Sequence, residues 1–219
     1  MGACRCRRRA RRKTASCPEV AGCDEENSRL QPSMLFPMYV VGVRDVLAMT
    51  EGQPHQVLRA RGIAVEFARP QVGVFVSHQW CGRNHADPQM WQLRVLQGAF
   101  GHAADGSLRV EVDLYCKAAR RMQPSMTKEK LAALKSCVIW YDYFSVPQPG
   151  KEAACVDGEL ADGLRRAVAS LATYVDSCEF FMALAPTVQH EDGRLLDLTS
   201  WKTRGWCRLE RLAKQLSMS

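Results

Sequence analysis

The sequence predicts an α/β protein, a parallel sheet with flanking helices in the three-layer arrangement of flavodoxin-like folds. Three apolar runs of strand length carry that prediction: Val72 to Val76, Val138 to Tyr141 and Phe180 to Leu184. None alternates apolar with polar residues, the pattern of strands buried on both faces of a parallel sheet. Between the second and third, Leu160, Leu164, Val168, Leu171 and Val175 recur at helical spacing, with Asp162, Arg165 and Arg166 off the stripe. Strand, helix, strand in that order is a crossover unit.

Residues 1–30 read as a disordered basic leader. Gly2 becomes the amino terminus once methionine is removed, Cys4 and Cys6 lie beside it, and Arg5, Arg7, Arg8, Arg9, Arg11, Arg12 and Lys13 follow with no acid among them. These are the ingredients of a lipid anchor. One acyl chain binds a bilayer only marginally, and each basic residue adds about 1 kcal/mol near an anionic leaflet, so residues 2–13 could hold an anionic membrane surface by two signals together. Cys6 stands where the myristoylation pattern has Ser or Thr. A nuclear address or a nonspecific polyanion binder is the plainer reading of the same residues.

Residues 31–70 read as an N-terminal helical extension. Val40, Val41, Val43, Val46, Leu47 and Leu58 are broken by Gly52-Gln-Pro54, giving two short helices or a strand and a helix. Residues 71–219 form the α/β domain. Trp91 to Leu134 supplies the helices of its first crossover. The carboxyl ends of parallel strands line the ligand crevice. That rule selects Ser77, His78 and Gln79 after the first strand, Asp142 after the second and Thr187 after the third. In a last helix, Trp206, Leu209, Leu212, Ala213 and Leu216 share one apolar face with Glu210 at its edge.

Composition narrows the function. The net charge of +7 is matched by residues 5–13 alone: without their seven basic residues, 23 remain against 23 acids. No specific nucleic-acid role follows from a neutral body. The 10 cysteines have no repeating spacing and no signal peptide precedes them, so reduced thiols in a cytoplasmic protein are expected. No apolar stretch approaches the roughly 18 residues of a spanning helix. Neither the Walker pattern nor the dinucleotide fingerprint occurs.

Four stretches together resemble the landmarks of Toll/interleukin-1 receptor (TIR)-like domains, in order: Phe75-Val-Ser-His-Gln-Trp80, Trp140-Tyr-Asp-Tyr-Phe-Ser-Val-Pro-Gln148, Phe181-Met-Ala-Leu-Ala-Pro186 and Arg204-Gly-Trp-Cys-Arg-Leu-Glu210. The second also resembles fungal heterokaryon-incompatibility domains. The resemblance covers roughly residues 70 to 216. It implies a TIR-like sandwich and an NAD+ hydrolase, with NAD+ as substrate rather than cofactor. In plant TIR domains a Trp-Cys-x-x-Glu stretch carries the catalytic glutamate, and Trp206, Cys207 and Glu210 match it. Cleaving the nicotinamide–ribose bond builds positive charge on the sugar, which a nearby carboxylate stabilises. By position, Ser77, His78, Asp142 and Trp206 would line the substrate crevice with Glu210.

Two features depart from the family. His78-Gln-Trp80 follows the first strand in place of the usual residues. A complete TIR domain adds two further strands after the glutamate helix, so a truncated domain is expected, or a divergent one that draws an extra strand from the N-terminal segment. The resemblance also implies clustering, as a homo-oligomer or with other TIR-like domains. The same fold could instead be a noncatalytic self-associating module.

Other motifs have plainer readings. His78, Cys81 and His85 have a zinc-like spacing without the second pair of ligands, and no metal is expected. Cys207 reads as a small buried hydrophobe rather than a nucleophile, because no His or Lys is close in sequence. Trp140, Tyr141, Tyr143 and Phe144 read as core rather than as a base-stacking platform.

Overall fold

The computed structural model describes residues 34–110, 126–148 and 158–217, and these belong to one compact unit, Pro32–Ser219. The candidate lipidation sites Gly2, Cys4 and Cys6 and the membrane-binding stretch 2–13 lie outside the described residues.

The parallel core falls where the apolar runs predict it. Strand β3 is Gly73–His78, β4 is Val138–Tyr141 and β5 is Phe180–Leu184. Strand β3 pairs parallel with both β4 and β5. In that register Trp140, Phe75 and Phe181 stand abreast on one face, with Phe75 stacked on Trp140 at 4.3 Å and on Phe181 at 5.7 Å between ring centroids. Strands β3 and β4 are buried along their whole length, but β5 is an edge strand, with Ala183 exposed and Phe180 to Met182 only partly covered. Continuous apolar sequence reports the chemistry of a strand and not its place in the sheet.

The 31–70 segment contributes two strands to the sheet as well as helices. Strand β1 (Tyr39–Gly42) is followed by α1 (Val43–Ala48), α2 (His55–Ala60) and β2 (Ala64–Glu66). The sheet order is β2-β1-β4-β3-β5, with β1 antiparallel to both its neighbours. Its Val40 and Val41 are fully buried, one on each side of the sheet. The strand chemistry of four residues is too short a signal to separate from the helix that continues it.

Helix α3 (Trp91–Asp105) and α4 (Lys128–Ala133) connect β3 to β4. Val74, Val76, Ile139 and Tyr141 pack with α3 on one face. Helix α5 (Asp142–Ser145), α6 (Gly158–Ala169) and α7 (Leu171–Ser177) connect β4 to β5, and α6 and α7 pack on the opposite face with Phe75 and Trp140. The single stripe expected from Leu160 to Val175 is therefore two helices, and Val168 is 40% exposed. The break is Ser170, fully buried, whose Oγ accepts from Leu35 N at 2.8 Å and donates to Arg166 O at 2.9 Å.

After β5 come a hairpin of β6 (Val188–Gln189) and β7 (Leu195–Leu196), then α8 (Leu198–Thr203) and α9 (Gly205–Ser217). Helix α9 turns the Glu210 edge, not the apolar stripe, toward the body. Trp206, Leu209, Leu212 and Leu216 are between 47% and 67% exposed, while Cys207 is buried and Glu210 and Ala213 are partly covered. The line 207–210–213/214 faces the body because two polar groups on it find partners there: Glu210 at Ser77, and Lys214 Nζ at the Cys178 carbonyl, 2.8 Å. Hydrogen-bonding demand outranks the apolar stripe in setting this helix's rotation.

Candidate functional site

Opposite-face crossovers place the site. The chain leaves the carboxyl end of β3 toward α3 on one face, and leaves β4 toward α6 and α7 on the other. Adjacent strand ends that diverge in this way leave a crevice between them. Side-chain alternation then divides the end of β3: Ser77 follows Phe75 onto the α9 face, and His78 follows Val76 onto the α3 face.

A cavity of about 310 Å3 opens at this crevice. Asp142, His78, Trp206 and Glu210 line it, together with Trp80, Trp140, Gln148 and Arg204. Ser77 stands behind Glu210 and is 1% exposed. His78, Asp142, Trp206 and Glu210, with Ser77 behind them, thus converge from strand ends and a helix that are distant in sequence. Thr187 does not; it lies exposed by the β6–β7 hairpin.

Two hydrogen-bonded sets build the walls. In the first, Ser77 Oγ donates to Glu210 Oε2 and accepts from Trp201 Nε1 at 3.0 Å. Trp201 is set by α8, which opens with a reciprocal cap: Asp197 Oδ1 accepts from Ser200 N and Ser200 Oγ accepts from Asp197 N, both at 2.8 Å. Gln79 Nε2 donates to Asp197 O at 3.1 Å and to Ser200 Oγ at 3.0 Å, fastening that cap to the end of β3. Burial pushes the Glu210 carboxyl up to about 7, against the Ser77 hydrogen bond, and the nearby Asp142 charge adds to the rise.

The second set surrounds Asp142. Its Oδ1 contacts His78 Nε2 at 2.7 Å and its Oδ2 accepts from Trp80 Nε1 at 2.7 Å. Tyr141 stacks on His78 at 3.9 Å, and its hydroxyl lies 3.1 Å from Nδ1. Burial disfavours the His78 imidazolium, but the charge and hydrogen bond of Asp142 outweigh it and the net shift is upward. Burial likewise acts against the Asp142 carboxylate, yet the His78 charge and the His78 and Trp80 hydrogen bonds hold it below its ordinary range. The cavity therefore presents the hydrogen-bonded His78–Asp142 pair beside a carboxyl group that burial raises to about 7.

Trp80, Gln148 and Arg204 stand inside the four quoted stretches, so their presence was readable while their convergence was not. Trp201 lies outside those stretches and its only sequence signal is the Asp197–Ser200 cap before it. Trp140, Tyr141, Tyr143 and Phe144 are all buried, and Trp140 is both core and cavity wall. The zinc-like trio takes separate partners: His78 has Asp142, Cys81 Sγ accepts from Gln92 Nε2 at 2.9 Å, and His85 Nε2 meets Gly52 O at 3.3 Å. Cys207 Sγ donates to His78 O at 3.5 Å, and burial pushes its thiol up to about 11, the opposite of an activated nucleophile. No family model, characterised protein or solved structure matches the chain.

Proposed function

We propose that this is a TIR-like signalling domain that hydrolyses NAD+ at the nicotinamide–ribose bond, with Glu210 as the catalytic carboxylate. The observation that carries the reading is Glu210 itself: a partly covered carboxyl on the cavity wall, gripped on one oxygen by Ser77 and raised to about 7 by burial. A carboxylate poised near neutral pH can stabilise the positive charge that develops on ribose as nicotinamide leaves. Trp80 and Trp206 offer aromatic faces to the departing ring. Arg204 brings a cation to the same cavity, where a diphosphate needs one. The three parallel strands β4-β3-β5 are the part of a TIR-like sandwich that this reading uses, with β1 and β2 as a local addition.

The test is NAD+ consumption by the purified protein under forced clustering, with Glu210→Ala alongside. Turnover lost in the variant supports the assignment, and equal rates remove it.

A second reading, a noncatalytic self-associating module, is favoured by one observation: Trp206, Leu209 and Leu212 expose an apolar stripe along α9. Clustering without NAD+ loss selects it. In either case residues 2–13 would bring the protein to an anionic membrane surface as a peripheral protein. No helix among the described residues is long and apolar enough to cross a membrane. Gly2→Ala that neither blocks labelling by a myristate analogue nor shifts membrane fractionation removes the anchor.

A further inference from the structure

The outward face of α9 carries cations beside its apolar stripe. Trp206, Leu209, Leu212 and Leu216 share one side of the helix and are all exposed. At 3.6 residues per turn, Arg208 and Arg211 fall along one margin of that stripe, and both are exposed, as are Lys202 and Arg204 just before them. None of these four cations forms an ion pair among the described residues. The stretch 198–217 contains one acid, Glu210, and Ser77 holds it inward. The same contact that fills the cavity wall thus leaves the outer face apolar and cationic, with no acid from this stretch on it.

That combination discriminates among partners. A second copy meeting this face about a two-fold axis would set Arg208 and Arg211 against the same face of its partner, like charge on like. A nucleic acid would satisfy the arginines and leave the leucines in water. An anionic bilayer satisfies both. Its headgroups take the guanidinium groups, its acyl boundary takes the leucines, and an indole such as that of Trp206 prefers the level between.

We infer that α9 is an interfacial helix that lies on an anionic lipid bilayer, with Trp206, Leu209 and Leu212 entering the acyl boundary and Arg208 and Arg211 meeting the headgroups. This contact is made by the folded body, independently of residues 2–13 and of any turnover of NAD+. Trp206 also lines the cavity, so the surface runs to the cavity mouth.

The test is quenching of tryptophan emission in the full chain by vesicles of roughly 3:1 phosphatidylcholine and phosphatidylserine with brominated acyl chains. Residues 2–13 contain no tryptophan, so binding through them alone leaves the emission unquenched. Wild-type emission is expected to be quenched, and Trp206→Phe to lose most of that quenching. Leu209→Glu with Leu212→Glu should abolish it. Arg208→Gln with Arg211→Gln, which alters two exposed charges and no apolar contact, should require about thirtyfold more lipid for half-quenching, at about fivefold per arginine.

Vesicles that bring down the wild type without quenching it place the membrane contact at residues 2–13 and overturn the inference. So do the absence of any vesicle binding, quenching that survives both double variants, and equal quenching by phosphatidylcholine alone. Self-association that the leucine variant abolishes, with no quenching in the wild type, gives the face to a second copy and overturns it as well.

Discussion

Ser77 and Glu210, 133 residues apart in sequence, share a hydrogen bond whose direction a third residue dictates. Trp201 Nε1 can only donate, and it donates to Ser77 Oγ at 3.0 Å, so the hydroxyl proton is left for Glu210. Ser77→Ala strands the Trp201 N–H in a buried site and frees the glutamate. Stability should fall by about 1–3 kcal/mol in urea unfolding. NAD+ turnover should fall by more than the loss of folded protein explains. Trp201→Phe removes the donor without stranding anything, and should cost less than Ser77→Ala in the same assay.

Glu210 opposes folding wherever it is charged. Its folded pKa of about 7 lies above the ordinary value of 4.5, so the folded state binds the proton more tightly than the unfolded chain. The Glu210 contribution to stability is therefore most favourable below 4.5 and declines as pH rises through 7. The loss approaches about 3 kcal/mol at most, by the conversion of roughly 1.4 kcal/mol per pH unit. Glu210→Gln stays neutral and keeps an acceptor for Ser77. It should be more stable than the wild type at pH 8 and indistinguishable at pH 4 by thermal melting. Turnover in the wild type should rise with a midpoint near pH 7, since the carboxylate is the working form. A wild type whose melting temperature does not drop relative to the variant between pH 4 and 8 contradicts the buried, raised carboxyl.

The parts of this site that were legible in sequence are those fixed by local chemistry. Gly73–His78 and Val138–Tyr141 are apolar without alternation, so their strand character and the polar residues at their ends could be read directly. What one segment does to another could not. The rotation of α9 depends on Ser77 and on the Cys178 carbonyl, both far from it in sequence, and its apolar stripe alone left open whether Glu210 looks into a cleft or out to water. Trp201 was invisible for the same reason: a tryptophan after a cap looks like any core residue until its N–H is seen to reach a serine on another strand. Strand β1 was readable only as one of two alternatives, since four residues running directly into α1 leave no turn to mark the change.

His78 and Asp142 support the fold in a bounded pH window. His78 has a raised pKa, so its contribution is complete below 6.5 and is lost as pH climbs through its folded value. Asp142 has a lowered pKa, so its contribution is present above 3.8 and is lost as pH falls through its folded value. Asp142→Asn should therefore cost most between those limits. Breaking a buried pair can cost 3–5 kcal/mol, but the Asp142 side chain is 34% exposed, and about 2 kcal/mol is expected after solvent screening. Urea unfolding of wild type and variant at pH 5.5 and 9 measures it. A penalty as large at pH 9 as at pH 5.5 contradicts a charge-based role for the pair.

The exposed stripe on α9 separates self-association from folding. Leu209 and Leu212 are 47% and 51% exposed, so replacing both with Glu empties no core position. Surface changes of this kind alter stability by about 0.5 kcal/mol or less. If the stripe is where copies meet, each new carboxylate is desolvated without a partner at the contact, and association should weaken at least tenfold. Sedimentation velocity across a concentration series reads the association and urea unfolding reads the fold. Unchanged association with an intact fold places the contact elsewhere. Lost association with retained NAD+ turnover would show that the chemistry at Glu210 does not require this contact, because Glu210 faces the cavity one helical step away from the stripe.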